Sequence, residues 1–267
     1  MASLNEYLVR SARGFESRLR AWSNVARFAA AATRSIFFRG TYNSATREVI
    51  ARQIYFTAWE IMGGYALFVT GLSLLITHIL ADAARKFGIH DYALEFTLRL
   101  LVLELVPLLT ALFVALRTGA AIATEVSLMR IRNEFGALEQ AGIDPMRLEL
   151  VPRVIGGTIS VVSLTAIGVV TSLLCAGFVV TGFQPWSAHG TDLRHIIGMV
   201  FSAEAMALLW GKALLFGLAV TIIPIAEALG APRQMFYAPV AVLRGMVRLF
   251  AALMLIEVSV LVIQYVA

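Results

Sequence analysis

Arg117 to Arg153, RTGAAIATEVSLMRIRNEFGALEQAGIDPMRLELVPR, is the longest charged interruption between the apolar runs of this chain. It holds five basic residues (Arg117, Arg130, Arg132, Arg147, Arg153) and five acidic ones (Glu125, Glu134, Glu139, Asp144, Glu149). Ile122, Val126, Met129 and Leu138 recur at helical spacing with charges between them, which predicts an amphipathic helix. Gly142 is a stop signal, and Asp144-Pro145 is a restart signal, with Asp as N-cap and Pro at the first helical position. Between two membrane spans, such a bounded helix is suited to being gripped from the aqueous side. An ordinary solvated loop helix carries the same pattern.

The sequence on either side settles the class. The 267 residues are 59% hydrophobic and 15% charged, with a mean hydropathy of +0.80. A soluble domain has about 25% charged residues. The expected fold is all-α and membrane-embedded, with five spans at about 54–80, 94–116, 154–183, 199–225 and 249–266. Residues 1–53 form the expected N-terminal segment and 54–267 the five-span domain. No apolar signal-like run stands in residues 1–20, so no cleavable leader is expected there. The one cysteine, Cys175, lies inside an apolar run.

The N-terminal segment carries nine arginines against three glutamates. Arg13, Arg20, Arg27 and Arg34 are seven apart, which makes one slowly drifting stripe on a helix. Phe15, Trp22, Ala29 and Ile36 repeat the spacing two residues later, about 200° round the helix. An interfacial helix is expected, with Trp22 in lipid and the arginines toward anionic headgroups. A soluble basic arm is the alternative.

Arginine counting sets the expected topology. The N-terminal segment, the 117–153 loop and the 227–248 loop hold nine, five and three Lys/Arg, whereas the two remaining loops hold Arg85, Lys86 and Arg194. The positive-inside rule puts the first set, and the N-terminus, in the cytoplasm and the C-terminus outside. The formal charge of +5 therefore reads as a topology signal, and no nucleic-acid partner is expected.

Charges inside the spans are costly in lipid. Glu104 and Lys212 stand near the middle of the second and fourth spans and carry opposite signs. Matched depth suggests a pair or a shared polar cavity, structural or functional. Pro107, three residues after Glu104, is expected to kink the second span. Arg99 and Glu204 stand near the outer ends, where they can meet each other or water. The fifth span also carries an acid, Glu257. The chain has no GxxxxGKS/T, HExxH, GxSxG or CxxC, so no nucleotide or catalytic site is expected in it. The spacing of His78, His90, His189 and His195 matches no metal site.

Several of these residues together carry a resemblance. Glu104-Leu-Val-Pro107, Arg117-Thr-Gly-Ala, Glu125-Val-Ser-Leu-Met-Arg130, Leu138-Glu139, Gly142-Ile-Asp-Pro145 and Val151-Pro-Arg153 resemble the MlaE-type (YrbE-type) permeases. Arg52-Gln53-Ile54-Tyr55 before the first span also fits. The match is specific over about residues 50–160 and weakens after about 225. There Glu227-Ala-Leu-Gly-Ala-Pro-Arg-Gln-Met-Phe-Tyr replaces the family's usual glycine-rich segment and the threonine- and arginine-containing run after it. Leu103 and Val106 stand where many relatives have Arg and Gly.

The resemblance implies the membrane subunit of a lipid-moving ABC system. Two copies would form the transmembrane core in a bacterial inner membrane. Each would be held by a separate cytoplasmic ATPase, which binds the ATP and Mg; this chain would need no cofactor. The coupling helix would dock there through Glu125, Arg130, Glu134 and Glu139. A periplasmic MCE-domain protein would receive or deliver phospholipid. Glu104 and Lys212 match the family's charged cavity positions, and Arg99, about one turn from Leu103, would stand in for the missing arginine. A five-span secondary transporter or channel, and a membrane scaffold without transport, are the alternative classes. No inverted repeat is visible to support the first.

Overall fold

The computed structural model describes residues 22–37, 44–87, 95–181, 198 and 201–266. All the regular structure among them is helical. A short helix, α1 (22–36), comes first. Five helices long and apolar enough to cross a membrane follow: α2 (Thr46–Ala83), α3 (Glu95–Ile131), α5 (Met146–Val179), α6 (Ala203–Gly230) and α7 (Met235–Gln264). The short α4 (Glu134–Gln140) sits between α3 and α5.

The spans outrun the bilayer. At 1.5 Å per residue, the 37 residues of α3 reach about 55 Å, against a hydrocarbon core of about 30 Å. The second span therefore does not end at 116. Its apolar part ends there, and the helix continues to Ile131 because nothing in AAIATEVSLMRI breaks it. The expected single helix Glu125–Ala141 is accordingly two pieces. Its first half is the tail of α3. The break is at Asn133, which takes a left-handed backbone (φ 57°), a conformation Asn tolerates better than most residues. α4 then runs to Gln140. It stops before Gly142, whose φ of 74° is the glycine-favoured C-terminal geometry. Asp144 Oδ1 accepts the Met146 N–H at 3.0 Å, capping the restart. The fifth span also begins earlier than 249. A one-turn 3-10 segment, Met235–Tyr237, leads into continuous helix from Ala238. Arg244 and Arg248 lower the hydropathy of that first part, but they do not interrupt the helix.

Four stretches widen to i→i+5 bonding: Tyr55–Trp59, Arg99–Leu105, Ala115–Gly119 and Met146–Leu150. Such turns are often found at functional positions. Two lie in α3, one just before Pro107 and one ending at Gly119.

The core runs along the bundle axis. Tyr65 and Val69 of α2, Val114 of α3, Val161 and Leu164 of α5, Phe216 and Val220 of α6 and Leu253 of α7 are all buried in one cluster. α5 and α6 approach closely because Gly217 lacks a side chain: a Cβ there would stand 2.9 Å from Thr158 Cα. α2 and α7 turn large apolar side chains outward, among them Leu67, Leu75, Leu243, Leu255 and Val258. These are the surfaces for lipid or for another chain.

α1 packs on this bundle. Val25, Phe28 and Ala32 join the core cluster, and Ala29 and Ile36 pack against it. Arg27 and Arg34 are exposed, and Trp22 is 43% exposed. The buried stripe is thus the 25–28–32 line, with Trp22 beside it. Arg13 and Arg20 lie outside the described residues.

Candidate functional site

Two places in the fold concentrate charge. The first is in the middle of the bundle. Lys212 Nζ donates to Glu104 Oε2 and lies 2.8 Å from Glu257 Oε2. The second contact is an ion pair between the ammonium and the carboxylate. Nζ also lies 3.4 Å from the carbonyl of Leu103. That carbonyl is available for a local reason: Pro107, four residues on, has no N–H to give it. Phe216 covers the ammonium with its ring centroid 6.0 Å away. Lys212, Glu104 and Glu257 are 2%, 5% and 8% exposed, so the cluster is sealed between α3, α6 and α7. Glu104 Oε1 is buried without a hydrogen-bond partner.

The fold thus brings Glu104 and Lys212 together. It leaves Arg99 apart, half-exposed and bonded through Nε to Glu95 Oε1 at 3.0 Å, one turn away on its own helix. Glu204 is exposed at the start of α6. Glu257 is the member that reading the sequence left unassigned. The signal was present, since an acid in an apolar run carries the same cost as Glu104. The expected span 249–266 already places it at mid-depth, but not the face it turns to Lys212.

Chemically, the cluster holds one ammonium and two carboxylates out of water. A pair of this kind is weak evidence for stability, but removing one partner costs about 3–5 kcal/mol because a lone charge is left behind. A charged group held in the centre of a span marks a functional position more often than a structural one.

The second place is the end of the bundle that carries the 117–153 stretch. Arg153, nine-tenths buried, donates from Nη1 to Glu149 Oε2 at 2.5 Å and from Nη2 to Glu125 Oε1 at 2.9 Å. Arg117 Nη2 reaches Glu60 Oε1 of α2 at 3.2 Å. A cavity of about 750 Å³ opens between α2, α3 and the start of α5, with these residues in its wall. Of the expected coupling residues, Glu125 is turned onto Arg153 in this wall. Arg130 is half-buried at the end of α3, with Nη1 lacking a hydrogen-bond partner. Glu134 faces Arg132 at 3.7 Å. Glu139 is exposed, and α4 has no buried residue. It is held to the bundle by Phe135, which packs against the core cluster, and its other face is open.

The chain is similar to known proteins. The family model described as Permease MlaE matches residues 50–263, from α2 to the end of α7. The intermembrane phospholipid transport system permease protein MlaE of Haemophilus influenzae is 27% identical over 180 residues, 62% of this chain and 65% of that protein. A probable ABC transporter permease protein of Rickettsia felis is 27% identical over 184 residues, 66% of this chain and 67% of that one. A probable ABC transporter permease protein of Synechocystis is 32% identical over 121 residues, 45% of each chain. The chain thus spans less than two thirds of the Haemophilus protein and under half of the Synechocystis one. The family match covers most of the chain and takes in both charged places: the chain belongs to the MlaE permease family.

Proposed function

We propose that this chain is the membrane subunit of an ATP-driven transporter that moves phospholipid between the inner and outer membranes of a bacterium. Two copies form the core, a separate ATPase docks on α4, and an MCE-domain protein works on the opposite side. The arginine-rich end, with the N-terminus, faces the cytoplasm, and the C-terminus faces the periplasm. α1 lies along the cytoplasmic interface with Arg27 and Arg34 toward headgroups. The observation that carries this reading is the Glu104–Lys212–Glu257 cluster, joined by one helix, α3, to the exposed α4. A site that handles a charged headgroup is thereby connected to a surface fit for a motor.

In this reading Lys212 attracts the headgroup phosphate when α7 parts from α3 and α6. Glu104 and Glu257 hold the ammonium in place between passages, or meet a headgroup amine. The chain itself hydrolyses nothing, since the partner ATPase binds ATP and Mg.

The test is lipid transport and folded yield for Glu104→Gln, Lys212→Met and the double variant, with ATPase and MCE partners present. Each single variant is expected to lower transport at least about tenfold. Folded yield should fall more in the singles than in the double, which leaves no lone charge. Transport at the parent's level in all three removes the cluster from substrate handling. Transport that needs no ATPase selects the secondary transporter or channel, and absence of any transport selects the scaffold.

A further inference from the structure

The cavity at the arginine-rich end is a separate site from the mid-span cluster, none of whose residues lines it. The Glu60–Arg117 pair stands at its inner end, and Arg132 and Glu134 stand at its outer end. Phe56, Ile122, Leu128 and Met129 make an apolar wall, and Phe56 is 52% exposed, so the wall opens to the surroundings.

Depth narrows the choice of ligand. Arg117 is the first charge after the apolar run of α3, and Arg132 lies about 22 Å further along the helix. The headgroup layer is about 5–7 Å thick on each side of the hydrocarbon. The cavity therefore begins at the hydrocarbon edge and passes through headgroup level into water. A ligand that meets an apolar wall and a charged rim at that depth is an amphiphile.

Charge narrows it further. Four arginines (Arg52, Arg117, Arg132, Arg153) and four glutamates (Glu60, Glu125, Glu134, Glu149) line the cavity, so it is formally neutral. The pairing is uneven. Arg117 takes Glu60, Arg132 faces Glu134, and Arg153 takes both Glu125 and Glu149. Arg52 has no acid among the described residues within ion-pair distance. Among the described residues this leaves an uncancelled positive charge on α2 and an excess carboxylate across the cavity beside Arg153. A ligand with one phosphate and one ammonium cancels both. An anionic headgroup leaves the carboxylate uncancelled, and a simple amine leaves Arg52.

We propose that this cavity holds a zwitterionic phospholipid of the adjoining leaflet. Its phosphate sits on Arg52, its ammonium sits on Glu125 and Glu149, and its glycerol and first acyl carbons lie against Phe56 and Met129. The site binds lipid whether or not the chain transports it, so its test is separable from the transport test.

The experiment is native mass spectrometry of the purified full chain, loaded with equal amounts of phosphatidylethanolamine and phosphatidylglycerol of matched acyl chains. One phosphatidylethanolamine is expected to stay bound in preference to phosphatidylglycerol. Arg52→Gln and Glu125→Gln should each reduce its retention about tenfold, the scale of one lost charge-assisted bond. Both side chains are more than half exposed or at the surface, so both variants keep the fold; the thermal midpoint checks this. Soluble phosphoethanolamine at the same concentration should not displace the lipid, because it lacks the part that meets the apolar wall. Unchanged retention in both variants, equal retention of the two lipids, or displacement by soluble phosphoethanolamine would each overturn the proposal.

Discussion

Lys212 has three N–H bonds to direct and no water to direct them to. Two carboxylates and one backbone carbonyl surround it, and the carbonyl has no N–H from residue 107 to share, because that residue is proline. Pro107 thus leaves one of the lysine's acceptors without a backbone partner from its own position. Pro107→Ala restores an N–H that can close on the Leu103 carbonyl. Folded yield is expected to hold or rise, since proline inside a helix is costly, while transport falls about threefold as Lys212 loses one acceptor. A thermal midpoint and a transport rate measured on the same preparation check both signs. Full transport in this variant would show that the Leu103 carbonyl does nothing for the lysine. Glu104 and Lys212 were legible in the sequence because each is a lone charge in an apolar run. Their distance was not, because depth along two helices does not fix which faces meet. Arg99 shows the limit: it lies one turn from Leu103, and its side chain turns to Glu95.

At the level of elements, the five spans were readable from hydropathy and their ends were not. Hydropathy reports which part of a helix suits lipid, whereas the helix continues as long as its backbone bonds do. That is why the sequence ends the second span at 116, with the tail of α3 as a separate amphipathic helix, and begins the fifth only at 249. The turn chemistry was readable where it rests on a single residue: Gly142 and Asp144 do what glycine and aspartate do at helix ends. Asn133 was missed because an asparagine in a charged run gives little sign that it will go left-handed. α4 rests on the bundle through Phe135 and leaves Glu139 exposed. Glu139→Lys is expected to lower ATP hydrolysis of the assembled complex about tenfold, through like-charge or lost pairing at the docking surface, and to leave the permease folded and still able to bind lipid. Fully coupled hydrolysis in this variant would remove α4 from the docking surface.

For the whole molecule, the arginine bias predicts a single orientation. Cys175 is buried, so it will react slowly, and added cysteines can be read against it. A cysteine at Glu139 is expected to be labelled by an impermeant maleimide only from the cytoplasmic side, and one at Glu204 only from the other; the reverse pattern would invert the topology. One further consequence concerns mechanics. From Glu104 to Ile131, α3 is a rod of about 40 Å, with the Glu104–Lys212–Glu257 cluster at one end and α4 following the other. By geometry alone, a tilt of about 5° about Glu104 carries Ile131 sideways by about 3.5 Å. The wide turn at Ala115–Gly119 lies partway along the rod and is its compliant point. The stiffness of that one turn decides how much of a stroke delivered at α4 arrives at the lysine and how much is absorbed on the way.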